Sequence, residues 1–445
     1  MSPDMSADTR ADTRADMSTD MSAHTGPDTS PHIVVVNRWR ERYAEFTRYV
    51  DHSTHRVSYV STAVGTGSVP PEAHEVVLVP ATDDLERVRA EVRALAARHG
   101  APSAIVALKE DDLLVGAALR EEWDVPGPRQ ASQIVFRDKY VMCRAVADAG
   151  LDVPEFAAAT DGAAVLAFGD DTGWPVIVKP RTGSSSSGVV RVDRPEQVAE
   201  LDLDSEPMLV QAFVAAPISH VDGVFDGERL LAWRASRYLN TCLGFRDGNH
   251  LGSVEIDDPE VNAAVERAAT AFLGALSPGR ATVFHLEVFI DRDEDGRPHC
   301  RFLECGARVG GAEIAFLWRE VHGYDLMHAA WQLQLDLPLP PVPVSAAAPH
   351  AADEVAGWML VPAPAERPCR ITESTSMTGR AIGPYAEVVL HPGEVLPDAD
   401  AYYEHVGGRF RFRAATGAAA EAAITATAKD FRVRAEPLAL STTTV

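Results

Sequence analysis

From residue 31 onward, short apolar runs, HIVVVN, RVSYVS, EVVLVP and SAIVAL, alternate with polar stretches of helical period such as residues 84–99. Short apolar runs bounded by turns, with helices between them, predict a parallel sheet wrapped by helices over about 31–130. A helix follows over 137–149, closed by Gly150 and by Pro154 soon after. Strands at 175–179 and 189–192 flank the Gly/Ser stretch 182–188, which predicts a β-hairpin with a flexible tip. A strand at 208–214, a hairpin over 220–233, a helix over 261–276 and a third hairpin over 282–305 complete the middle of the chain. Beyond the Pro-rich LPLPPVPV, a linker by composition, GWMLVP and AEVVLH read as strands and 418–428 as a helix. This predicts a smaller β-rich C-terminal domain over 346–445. Residues 1–30 repeat Ala, Asp, Thr, Arg, Met and Ser with almost no branched aliphatics, the composition of a disordered tail.

Composition narrows the class. With 445 residues, 46% hydrophobic and 24% charged, the bulk of the chain reads as ordinary folded globular protein in two to four domains. Its 41 basic against 65 acidic residues give a net charge of −24, which repels phosphate backbones and anionic membranes and argues against a nucleic-acid partner. Cys143, Cys242, Cys300, Cys305 and Cys369 are odd in number and include no C-x-x-C pair, so they read as reduced thiols. No signal-like apolar core and no apolar run of about 20 residues is present, which points to the cytoplasm and away from a membrane.

The chemistry begins in VFHLEVFIDRDEDGRPHCRFLEC. Asp295-Gly296 is a two-residue turn signal, and the register it fixes sets Glu287 opposite Glu304. Two carboxylates so placed repel unless a cation or a shared proton lies between them, and Mg²⁺ is the natural resolution. A longer or bulged turn, or two solvated strand acids, remains the alternative. Lys179 precedes RTGSSSSGV, whose small residues let backbone N–H groups curl around an anion such as a phosphate. Lys139 stands at a helix start, where it opposes the helix dipole; alone it reads as a solvated surface lysine. Arg308, in ECGARVGG, can present its guanidinium to an oxyanion or form a salt bridge with the same acids. His285 shares the Glu287 face by period-two alternation and is a substrate or a core histidine; Cys305 falls on the opposite face. Arg234, with Arg237 and Tyr238, offers a carboxylate clamp or solvated strand charges.

The succession RDK, IVKPRTGSSSSG, LVQAFV, HVDGVF, HLEVF and FLECGAR resembles the ATP-grasp superfamily over about residues 130–335. Within it the chain is most similar to amino-acid ligases that make dipeptides, and in outline to biotin carboxylase. The resemblance implies an α/β and α+β fold: an N-terminal parallel α/β domain over 31–130, a two-lobed core over 131–345 with a lid lobe at about 151–208, and the C-terminal domain. It implies that Lys139 and Lys179 bind ATP phosphates under a loop of Gly183, Ser184, Ser185, Ser186, Ser187 and Gly188. Gln211 and the backbone of Ala212, Phe213 and Val214 would meet the adenine edge, with Phe289 packed on the base and His220 touching the nucleotide. Glu287 and Glu304 match the metal acids, for Mg²⁺ or Mn²⁺, and Arg308 the arginine that steadies an acyl phosphate. Gly310 and Gly311 would border a small-molecule carboxylate or amine substrate. A homodimer is compatible with the family.

Two departures stand out. Gly306 replaces the Asn usually found two residues after the second acid, and Ala312 occupies the place of the carboxylase's glutamate base, with Glu313 one residue further on. The expected activity is therefore ATP-dependent amide formation; a biotin-carboxylase-type reaction and a silent nucleotide-binding module are the alternatives.

Overall fold

The strands His32–Asn37, Arg56–Ser61 and Ala104–Ala107, largely buried, and the half-exposed Glu75–Leu78 form one parallel sheet. Their spatial order puts Glu75–Leu78 at one edge and Ala104–Ala107 at the other. The computed structural model describes residues 30–40, 43–184, 186–241, 244–245, 247–349, 353–398 and 405–438, so the tail expected at 1–30, apart from Ser30, and Cys242 and Ser185 lie outside the described residues. Helix Leu85–His99 covers this sheet, started by Asp84, whose carboxylate accepts from the Arg87 amide. The turn that follows Ala104–Ala107 carries Glu110, Asp111 and Asp112. It therefore lies at the carboxyl end of a parallel strand, the edge at which α/β sheets bind ligands.

A small antiparallel sheet holds Phe156–Ala159, Met208–Ala212, Val176–Pro180 and Val190–Val192 in that order, backed by helix Gly162–Thr172. The strand expected to run to 214 ends at Ala212. The helix expected from 137 starts at Lys139, because Asp138 turns its carboxylate onto the Tyr140 and Val141 amides as the N-cap.

Among the described residues the main sheet has eight strands, beginning Pro298–Gly306, Thr282–Arg292, Ile218–Phe225, Leu230–Tyr238 and Leu251–Glu255. Val355–Pro362, Val406–Ala414 and Ala386–Val389 then continue it, so these C-terminal strands extend the central sheet; a separate three-stranded sheet, with Cys369–Ser374 in its middle, completes the region. Helix Pro259–Leu276 packs beneath the hairpin, with the Phe272 and Phe302 rings edge to face at 5.3 Å. Among the described residues no helix is long and apolar enough to cross a membrane, and Cys143, Cys300, Cys305 and Cys369 form no disulfide.

Candidate active site

Antiparallel pairing brings one face of the main sheet together. His220 lies opposite Glu287, Asp222 opposite His285, and Glu287 opposite Glu304. The last pairing is the one the sequence predicts, yet it arises differently. The turn is a three-residue loop, closed by a hydrogen bond from the Asp293 amide to the Arg297 carbonyl, with Gly296 at a φ of 77°. Near the turn the register is therefore one residue off, and a bulge that inserts Leu303 restores it before the acids.

The environment sets the two acids apart. Burial and then the neighbouring Glu304 raise the Glu287 carboxyl, which accepts a hydrogen bond from Tyr238 at 2.8 Å. Burial also works against Glu304, but Lys139 and Lys179 outweigh it and hold that carboxyl low, with Lys139 Nζ 3.6 Å away. Lys179 is buried, and burial lowers its ammonium against the pull of Glu304. On the same sheet face, Asp222 accepts from His220 at 2.6 Å and from His285 at 2.7 Å. Burial disfavours the charged form of His285, Asp222 overrides it, and the ring's Nε2 lies 3.9 Å from Glu287.

Lys139, His285, Glu304 and Arg308 thus line one cleft, with Glu287 and Lys179 beside Glu304. The first residues of the Gly/Ser tip are tied down at its rim: Lys139 donates to the Gly183 carbonyl at 2.6 Å, and Ser184 donates to Asp111 at 3.0 Å. Gly188 sits at a φ of 69°, where a Cβ would also meet the Pro180 ring at 2.7 Å. Gln211 is buried beside Cys143, Phe289 lies two residues beyond Glu287 and is buried, and Phe213 is exposed under the Arg191 guanidinium.

Other expected residues go elsewhere. Arg234 turns away from the cleft and donates to the Ser345 and Ala346 carbonyls. Arg237 pairs with Glu421 of the C-terminal helix. His220 has both ring nitrogens engaged, by Asp222 and Ser253, leaving neither directed to a nucleotide. Cys305 faces the core, where burial pushes its thiol far up. Glu313 is sealed between Arg409 at 3.3 Å and Arg411 at 3.4 Å, so it does not fill the place left by Ala312. Ala312 itself holds a left-handed φ of 53°, its carbonyl accepting from the Tyr43 hydroxyl.

Sequence reading missed Glu110, Asp111, Arg137 and Asp222. Asp222 had a signal, since it is two residues from His220 on one strand and so shares its face. Glu110 had one too, in its place just past a parallel strand. Its carboxylate accepts from Arg308 Nε at 2.7 Å and from Arg137 at 2.8 Å. A Cβ at Gly306 would stand 3.4 Å from Arg308 Nε and 3.7 Å from Glu110, so a longer side chain there would compete with this pair.

Burial opposes ionisation of Glu110, but Arg308 and Arg137 bring its carboxyl from the usual 4.5 down to about 2. A carboxyl depressed on folding contributes stability above the unfolded value that is lost as pH falls through the folded one. Here that window is pH 4.5 to about 2 and the contribution is about 3 kcal/mol. Acid unfolding followed by circular dichroism should accordingly show a shallower pH dependence across this window in Glu110→Gln than in the unchanged chain.

No family model matches the chain. An L-arginine-specific L-amino acid ligase of Bacillus subtilis is 25% identical over 250 residues, 52% of this chain and 57% of that protein. The chain thus matches little more than half the length of this curated relative. An L-amino acid ligase from Bacillus licheniformis superposes with a TM-score of 0.67 at 18% identity, covering 91% of this chain and 98% of that one. The fold is that of the ATP-grasp ligases. Other ATP-grasp structures align comparably: N5-carboxyaminoimidazole ribonucleotide synthetase from Thermotoga maritima (TM-score 0.63, 15% identity, 91% of this chain and 100% of that one) and a biotin carboxylase from Campylobacter jejuni (0.63, 14%, 92% and 93%).

Proposed function

We propose that the protein is an ATP-dependent carboxylate–amine ligase that joins amino acids, or a peptide-like precursor, through an acyl phosphate. The observation that carries this reading is the opposition of Glu287 and Glu304 beside a cleft lined by Glu304, Lys139 and Arg308. The match to an amino-acid ligase supports the substrate class.

Lys139 and Lys179 hold the phosphate chain, and the tip amides cover it. A substrate carboxylate oxygen attacks the γ-phosphorus, and ADP leaves. The amine then attacks the acyl carbon, Arg308 steadies the oxyanion, and phosphate departs with one former carboxylate oxygen. The balance is acid, amine and ATP to amide, ADP, phosphate and a proton. Glu287 and Glu304 fit a divalent cation, since their mutual repulsion is what such an ion relieves. Bound there, Mg²⁺ would offset charge on the phosphate oxygens.

A carboxylase reading lacks its base, because position 312 is Ala and Glu313 is locked by two arginines. Acid substrate labelled with ¹⁸O in its carboxylate should deliver one label to the released phosphate. Unlabelled phosphate, with amide formed, would exclude the acyl phosphate. In Glu304→Ala, phosphate release should fall at least about a thousandfold, as metal-assisted charge stabilisation is lost; retained release would remove Glu304 from the reaction.

A further inference from the structure

Arg308 is fixed from the far side of the cleft. Its Nε and Nη2 both reach Glu110 Oε2, at 2.7 and 2.5 Å, while Nη1 donates to the Val309 carbonyl at 3.1 Å. The other oxygen of the same carboxylate accepts from Arg137, whose second nitrogen donates to the Thr182 carbonyl at 2.7 Å. The neighbouring Asp111 accepts from Ser184. One short turn of the N-terminal sheet thus contacts both the arginine and the start of the Gly/Ser tip. The bare backbone of Gly306 leaves room for the shared carboxylate.

We infer that Glu110 is a positioning residue that couples the aim of Arg308 to the docking of the Thr182–Ser184 backbone. Two guanidinium groups on one partly buried carboxylate keep their places only while that carboxylate is charged; neutralised, it leaves two cations that repel each other. Arg308 is then aimed when the tip residues are seated and loses its setting when they lift. The coupling concerns the contacts themselves; only its effect on turnover rests on the ligase reading.

Hydrogen–deuterium exchange of the peptide spanning 182–187, where the Ser187 amide donates to the Ser184 carbonyl at 3.0 Å, ADP affinity with Mg²⁺ and turnover are measured on the full chain. Glu110→Gln should raise exchange there about tenfold. It should lower kcat about a hundredfold, as misplaced groups do, with the ADP Kd within about threefold of the unchanged chain because the lysines remain. Glu110→Asp, which keeps the charge, should recover part of kcat. Should Glu110→Gln fail to fold, Ser184→Ala decides: it frees the tip without touching the Glu110–Arg308 pair, and coupling requires kcat to fall as exchange rises. Exchange unchanged in Glu110→Gln, or a freed tip with kcat intact in Ser184→Ala, overturns the inference. If the unchanged chain turns over no substrate, the ligase reading fails; the exchange response of Glu110→Gln then stands alone, a rise supporting the coupling and no change overturning it.

Discussion

Arg308→Ala should lower turnover about 10²- to 10³-fold while ADP affinity holds, the size of effect seen when one donor to a developing oxyanion is removed. The guanidinium reaches Glu110 through two nitrogens, and a lysine ammonium cannot reproduce that fork, so Arg308→Lys should recover little. Steady-state kinetics beside calorimetric titration with MgADP separates the two quantities. A parallel loss of nucleotide affinity would instead make Arg308 a binding group, and unchanged turnover would take it out of the chemistry.

Gly310→Ala acts on the same arginine through the backbone. A Cβ at 310 would stand 2.3 Å from Asp222 Oδ1, 2.5 Å from the Ile314 methyl and 2.9 Å from His285 Nδ1. Asp222 cannot retreat, because both its oxygens are bonded to histidines. The turn must therefore shift, two residues from Arg308. Turnover should fall about a hundredfold, given what small displacements of reacting groups cost, and stability by about 1–3 kcal/mol as for other overpacked sites. At Gly311 a Cβ meets nothing within 4 Å, so Gly311→Ala should keep its melting temperature. Thermal unfolding of both variants beside the kinetics tests the contrast.

The sequence made some of this site legible and hid the rest for identifiable reasons. Alternation along strand Thr282–Arg292 put His285 and Glu287 on one face, and the pairing with Glu304 followed from a turn signal whose error a bulge at Leu303 cancels. Bulges leave no local signature, so that agreement came partly from compensation. Lys139 and Lys179 could be placed because each sits at the end of a clear element. Arg234 could not: alternation puts it on the face of Asp222, its strand partner, but the carbonyls of Ser345 and Ala346, more than a hundred residues away, take its guanidinium. Glu110 was hidden for the same reason, since its partners Arg137 and Arg308 come from elements distant in sequence. The N-terminal parallel sheet, whose strands are short apolar runs bounded by turns, emerged nearly as expected. The C-terminal strands gave no sign that they would extend the main sheet, because edge-to-edge pairing between distant hairpins is set by packing rather than by pattern.

On the proposed reading, the cleft couples ATP cleavage to the joining of an acid and an amine. Phosphate release from ATP and Mg²⁺, measured against amino acids singly and in pairs with mass detection of the product, tests it most directly. Release should require a particular pair, yield one amide per phosphate and vanish in Glu304→Ala. Nucleotide binding without release for any pair, or release that depends on bicarbonate and biotin instead, would contradict it.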